Sequence, residues 1–167
     1  MKRIVSWVLS WVVLTGLWAQ KYNFVNLNVE HGLIQSQANA LCQDQHGHLW
    51  IATMGGVSRY DGQHFTGFSM NDGLANNICL TILSDSKGWI WVGTQNGLSR
   101  YDGSRFRNYF FFKKPQQNEV SSLAEDQSGR IWCTVKGKVY CIDHGKIIKA
   151  DFPLMIGKNL PKIMIFR

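Results

Sequence analysis

No segment beyond residue 20 carries apolar residues at the three-to-four spacing of a long amphipathic helix, which argues against a helical domain. The four cysteines, Cys42, Cys79, Cys133 and Cys141, show no close Cys-x-x-Cys spacing, so no metal site is expected from them. Basic residues outnumber acidic ones, 18 to 11, yet they form no stripe. Their only concentrated spots are Arg105-Phe106-Arg107 and Lys113-Lys114, which is too sparse for nucleic-acid binding and reads as solvated surface. The five histidines, His31, His46, His48, His64 and His144, are scattered, and most carboxylates recur at turn positions. Neither a nucleophile with its base nor a pair of facing carboxylates emerges, so no catalytic residue, cofactor or metal ion is expected.

The first twenty residues stand apart from the rest. Lys2 and Arg3 precede an apolar run of 16 residues, from 4 to 19, that ends in Leu17-Trp18-Ala19-Gln20. A span needs roughly 20 residues, so the run is read as a secretory signal peptide, residues 1–19, cleaved after Ala19, with an uncleaved anchor as the alternative. Either reading places the remainder outside the cytoplasm, where disulfides are permitted. Without Lys2 and Arg3 the chain keeps 16 basic and 11 acidic residues, a net charge of +5.

What fills the remainder is a repeat. Trp50, Trp91 and Trp132 are spaced by 41 residues, as are Asp44, Asp85 and Asp126, and Gly47, Gly88 and Gly129. The same interval separates Asp61, Asp102 and Asp143, and also the closing residues Phe65, Phe106 and Ile147. Within each unit, runs rich in β-branched and aromatic residues alternate with Gly, Asp and Asn turns, the pattern of consecutive hairpins. In the second unit the strands are expected at 80–85, 90–94, 97–101 and 106–109. Four antiparallel strands at a period of about 40 residues make a propeller blade, so the fold class is all-β, a partial β-propeller behind a helical signal peptide.

The constant residues have structural roles in such a blade. Asp-x-x-Gly suits the turn between the first two strands, because Asp bonds turn backbone and Gly accepts positive φ. Each aspartate stands alone in its unit, without the clustered oxygens that calcium requires. Tryptophan on the second strand fills the wedge between blades, and Tyr-Asp-Gly forms a further hairpin turn in which the tyrosine hydroxyl finds a partner. Cys133 and Cys141 flank the turn at Gly137. In one register they face each other at disulfide distance, and a slip of one residue turns them apart. Cys42 and Cys79 read as small apolar residues.

These units resemble the two-component regulator propeller repeat. The resemblance is carried by Asp72-Gly73-Leu74, Trp91-Val92-Gly93-Thr94, Gly97-Leu98 and Tyr101-Asp102-Gly103, all in register in the second unit. The first unit departs at Ala52 and His31, and the third at Lys113-Lys114-Pro115 and Thr134-Val135. The match extends over residues 22–148. It implies the periplasmic sensor region of a hybrid two-component histidine kinase, in which propellers bind oligosaccharides and any kinase lies in a following region.

Phase sets the expected domains: residues 20–38 a lead-in strand and loop, 39–68 blade 1, 80–109 blade 2, 121–150 blade 3 and 162–167 the start of blade 4. Residues 22–27 align with the last strand of a blade and are expected to complete another one. Three blades do not close a ring of four to eight, so the sequence reads as the N-terminal fragment of a longer protein. The expected function is extracytoplasmic ligand sensing in the periplasm or at the exterior of a Gram-negative cell, with an oligosaccharide, the remaining blades and downstream signalling domains as partners. Contact with a membrane is expected only through the signal peptide or a missing segment. The alternatives are a protein-interaction scaffold and a propeller lyase or glycosidase. Loops 29–39, 70–79 and 111–120, which vary between units, are expected at one end of the blades beside the central axis.

Overall fold

A computed structural model of the chain describes residues 24–150, so the expected signal peptide and the expected start of a fourth blade lie outside the described residues. Twelve strands form three sheets. The first holds β1 (Ala38–Gln43), β2 (Leu49–Thr53), β3 (Gly56–Tyr60) and β4 (Phe65–Phe68). The second holds β5 (Cys79–Ser84), β6 (Ile90–Thr94), β7 (Gly97–Tyr101) and β8 (Phe106–Tyr109). The third holds β9 (Val120–Glu125), β10 (Ile131–Val135), β11 (Lys138–Asp143) and β12 (Lys146–Lys149). Each sheet is an antiparallel meander in chain order, as the hairpin pattern of each unit predicts. The first strands lie side by side, β1 against β5 and β5 against β9, so they are the inner strands of adjacent blades.

Blades adhere through apolar faces. Trp50, Ala52 and Val57 of the first blade share one core with Leu74, Cys79, Ile82, Ile90 and Val92 of the second. Trp50 stacks on Phe68 at a centroid distance of 5.5 Å and meets Tyr101 of the next blade at 5.6 Å. The second interface repeats the arrangement, with Trp91, Leu98 and Tyr109 packed against Val120, Ile131, Val135 and Tyr140. Burying a ring of this size contributes several kcal/mol, about 25 cal/mol for each Å² of apolar surface. Trp132, on the face of the third blade turned away from the second, is half-buried.

The approach of blade 2 to blade 3 also fixes a glycine. A Cβ on Gly93 would stand 2.5 Å from Thr81 Cγ2 and 2.9 Å from both Val120 Cγ1 and Val120 O. The blade backbones come too close there for a side chain.

One expectation is corrected. In the β10–β11 hairpin Cys133 pairs with Tyr140 and Cys141 with Trp132, so the two cysteines point to opposite faces of the sheet. No Cys133–Cys141 disulfide forms, and all four cysteines are free thiols. The Lys136-Gly137 turn sets this register. Its central residues both take positive φ, 48° and 74°, as a two-residue hairpin loop requires. Residues 24–27 belong to none of the three sheets, and Phe24 and Val25 are 92% and 76% exposed.

Candidate functional site

The antiparallel meander gives every blade two ends. The β1–β2 and β3–β4 turns and their repeats lie at one, the turn end. The β2–β3 hairpins and the loops between blades lie at the other, the loop end.

All nine constant residues singled out by the repeat belong to the first turn and second strand of their blades. Asp44 Oδ1 accepts hydrogen bonds from the backbone N–H groups of His46 and His48, both at 2.9 Å, and its Oδ2 accepts the Trp50 indole N–H at 2.8 Å. Asp85 does the same with Lys87, Trp89 and Trp91, the indole bond being 2.7 Å. Asp126 repeats it with Ser128, Arg130 and Trp132. Gly47, Gly88 and Gly129 complete these turns with φ of 86°, 81° and 72°. The bond from indole to carboxylate was not foreseen from the sequence, although the invariant interval of six residues from Asp to Trp is its signature. Desolvation works to raise the pKa of Asp44, but the Trp50 indole, the His48 backbone and side chain and the His46 N–H outweigh it and hold the carboxyl below its usual range. Asp126 is lowered likewise: desolvation is overcome by donors from Trp132, Arg130 and Ser128.

The remaining repeat residues are also occupied. Tyr60 and Tyr101 donate their hydroxyls to the carbonyls of Gly62 and Gly103 at 2.8 Å, while Asp61 and Asp102 accept turn amides. Bonds from Ser104 and Arg105 pull Asp102 down to about 2. Thr53 and Thr94, fully buried, donate to the carbonyls of Gly56 and Gly97 and so close the β2–β3 and β6–β7 hairpins. These side chains are engaged by the blade's own turns and hairpins. Burial pushes the thiols of Cys42, Cys79 and Cys133 up to about 12, leaving them protonated and unreactive at neutral pH.

The connections at the loop end differ between blades in how they are fastened. In the first two blades the incoming loop makes a 3-10 turn, Val29–His31 or Met70–Asp72, capped by Asn28 or Ser69. Leu33 and Leu74 then enter the core, and the Ser58 and Ser99 hydroxyls accept the N–H groups of Ile34 and Ala75 at 3.0 and 2.9 Å. Each loop therefore crosses its blade from outside to inside. Gly32 lies against Phe65 and Gly73 against Phe106, both on outermost strands. Only the later part of each loop reaches the axis, a narrower placement than the sequence suggested.

The third loop is built differently. Tyr140 stands where the other blades have serine, and Phe111 and Phe112 pack on its ring at 4.9 and 6.1 Å. Buried Asn118 takes over the fastening: its Oδ1 accepts from Phe111 and Phe112 N–H at 2.7 and 2.8 Å, and its Nδ2 donates to the Phe112 and Lys114 carbonyls, both at 3.0 Å. The Asn77 side chain, one repeat earlier, accepts the Met70 N–H. The recurrence of asparagine at 77 and 118 was the available signal for this clamp.

Side-chain amides dominate the loop end: Gln35, Gln37 and Asn39 in the first blade, Asn76, Gln95 and Asn96 in the second, Gln116 and Gln117 in the third. Asn39 bridges the first two blades by donating to the Cys79 carbonyl at 2.7 Å. Phe110 lies against Gly97, where a Cβ would meet its ring at 3.0 Å, and remains 51% exposed. Amides, which donate and accept without charge, and a supported aromatic face are groups that bind rather than react. Among the described residues no cluster of three metal-ligating side chains occurs, and no helix is long and apolar enough to cross a membrane.

The comparisons with known proteins agree with this architecture. The family model described as "Two component regulator propeller" matches residues 32–55 and 73–96. No curated protein sequence matches the chain. Among solved structures, the extracellular domains of two hybrid two-component systems from B. thetaiotaomicron superpose with TM-scores of 0.64 and 0.61. Identities are 22% and 26%, over 74% and 68% of this chain. The chain spans only 18% and 17% of their lengths. A virginiamycin B lyase from Staphylococcus aureus superposes at 0.63 over 80% of this chain and 46% of its own, at 19% identity, a likeness of fold alone. Repeat, blade and family model agree: two stretches of the chain match the two-component regulator propeller model, and the chain is similar to that family.

Proposed function

We propose that the chain forms part of the extracytoplasmic sensing propeller of a two-component signalling protein, and that its loop end reads a glycan. The observation that carries this reading is the division of labour between the ends. The constant Asp, Gly and Trp of the repeat serve turns and packing, whereas the loop end presents amides, in a set that differs from blade to blade, beside a supported aromatic ring. Sugar hydroxyls both donate and accept, and amides complement them without the desolvation cost of a charge. The similarity to the extracellular domain of a hybrid two-component system at 26% identity supports the signalling assignment. Recognition, not turnover, is the role proposed for this segment, and any kinase belongs to another part of the protein. A propeller sensor transmits by binding one of two arrangements better than the other.

The test is a glycan array probed with the full chain, followed by calorimetry on whatever binds. Saturable binding that is lost on replacing Gln95 and Gln117 with alanine is expected. Silence on every glycan, together with saturable binding of a protein ligand at the same loops, would replace this reading with that of an interaction scaffold.

A further inference from the structure

Charge at the loop end is confined to one blade. In the first two blades the loops and hairpins of this end contain no lysine or arginine; their charged groups are Glu30 and Asp72. In the third blade the same end carries Lys113 and Lys114 on the incoming loop, Lys136 in the β10–β11 turn, Lys138 at the start of β11 and Lys149 at the end of β12. Strand register gathers them: Val135 pairs with Lys138 and Tyr140 with Lys149, while Tyr140 is also the residue on which the Lys113–Lys114 loop is anchored. All five are exposed, and Glu119 is the acidic residue among them, 3.5 Å from Lys136. Among the described residues no carboxylate comes within ion-pair distance of Lys113, Lys114 or Lys138.

The loop that presents Lys113 and Lys114 is built to hold its shape. It carries the Asn118 clamp, the packing of Phe111 and Phe112, and a 3-10 turn at Pro115–Gln117. Like charges gathered on a fixed support repel one another, so their juxtaposition has a cost that an anion relieves. The half-exposed ring of Phe110 lies three residues before Lys113, within about 11 Å along the chain. Gln116 and Gln117 follow on the same loop.

We infer that this face of the third blade takes an acidic oligosaccharide, one bearing carboxylates or sulfates. Its anionic groups lie on the lysines, one sugar ring lies on Phe110, and its hydroxyls meet the amides. The inference rests on the glycan reading above and narrows it. A bare anion would leave the aromatic ring and the amides unused, which is why a charged sugar is favoured over phosphate or a lipid headgroup.

The experiment measures binding of the full chain to tetragalacturonate, a heparin tetrasaccharide and neutral galactotetraose, with polyphosphate and phosphatidylglycerol vesicles as further probes. At least one acidic sugar is expected to bind roughly tenfold or more tightly than the neutral one, and to weaken with added salt. K113Q/K114Q, which changes only exposed side chains, is expected to weaken it roughly tenfold, two exposed charge contacts being worth about 1–2 kcal/mol. Equal affinity for acidic and neutral sugars, or indifference to both salt and K113Q/K114Q, overturns the acidic class and leaves the glycan reading standing. Lysine-dependent binding of polyphosphate or vesicles as tight as that of the sugars overturns the sugar assignment. Failure of every saccharide overturns both.

Discussion

The indole N–H of Trp91 donates to Asp85 Oδ2 at 2.7 Å, tying the second strand of the blade to the turn that starts it. Asp85 is only 4% exposed, and its other oxygen accepts two backbone amides of the same turn. One carboxylate thus organises a turn and orients the ring that fills the space between blades. Asp85→Ala is expected to cost about 2–4 kcal/mol, since it leaves buried donors unpaired and frees the ring. Trp91→Phe keeps most of the apolar body and is expected to cost less than Asp85→Ala. Urea denaturation followed by circular dichroism ranks the two; equal stability of Asp85→Ala and the parent would refute the role.

Gly93→Ala tests the close approach of blades 2 and 3. The added methyl meets the Val120 carbonyl as well as two side chains, so trimming Thr81 cannot relieve it fully. A loss of about 1–3 kcal/mol is expected, with Thr81→Ala restoring only part of it. Thermal melts of the single and double variants are the measurement.

Asn118→Ala removes the clamp of the third loop. Local opening rather than global unfolding is expected, because the blade core does not depend on the loop. Hydrogen exchange should accelerate at the amides of Phe111 and Phe112 while those of β10 stay protected. Unchanged exchange at both amides would show that the ring contacts with Tyr140 suffice.

The cysteines provide a redox test. A reducing agent should leave the melting temperature unchanged, and thiol reagents should label Cys79 and Cys133 only after denaturation. A mobility shift between reduced and unreduced Cys42→Ser/Cys79→Ser protein would instead reveal a bond between the other two cysteines.

Acid should destabilise the fold. Asp44, Asp61, Asp102 and Asp126 all lie below their ordinary value in the folded chain. A depressed carboxylate contributes stability that is complete above its unfolded pKa, near 4, and is lost as pH falls through the folded value. Stability is therefore expected to fall steadily from about pH 5 toward the value of about 2 held by Asp102. Constant stability between pH 5 and 3, followed by denaturant titration, would contradict this. The exposed turns at Asp61 and Asp102 contribute little, so Asp44→Asn and Asp126→Asn should flatten the profile most.

The period of 41 residues, the four strands of each unit and the function of Asp-x-x-Gly were legible because they are local. A turn needs its own oxygen acceptor and its own glycine, and alternating short runs can form only neighbouring hairpins. Second-unit strands expected at 80–85, 90–94, 97–101 and 106–109 differ from those observed only in the first, which is Cys79–Ser84. The burial of Trp50 and Trp91 between blades also followed from their size and spacing. The disulfide was not legible: a single step of register in the β10–β11 hairpin separates facing cysteines from opposed ones, and the backbone at Lys136-Gly137 makes that choice.

By itself, then, the sequence determined the repeat, the blade and the likeness to the regulator propeller model, since each depends on residues within one 41-residue period. Tertiary structure decided what the loop end carries. Along the chain Lys113 and Lys114 are an isolated pair, and Lys136, Lys138 and Lys149 are dispersed by the strands between them. Folding brings all five to one end of one blade, because antiparallel strands return every second connection to the same side. A charge field depends on distance through space, which only the folded chain defines.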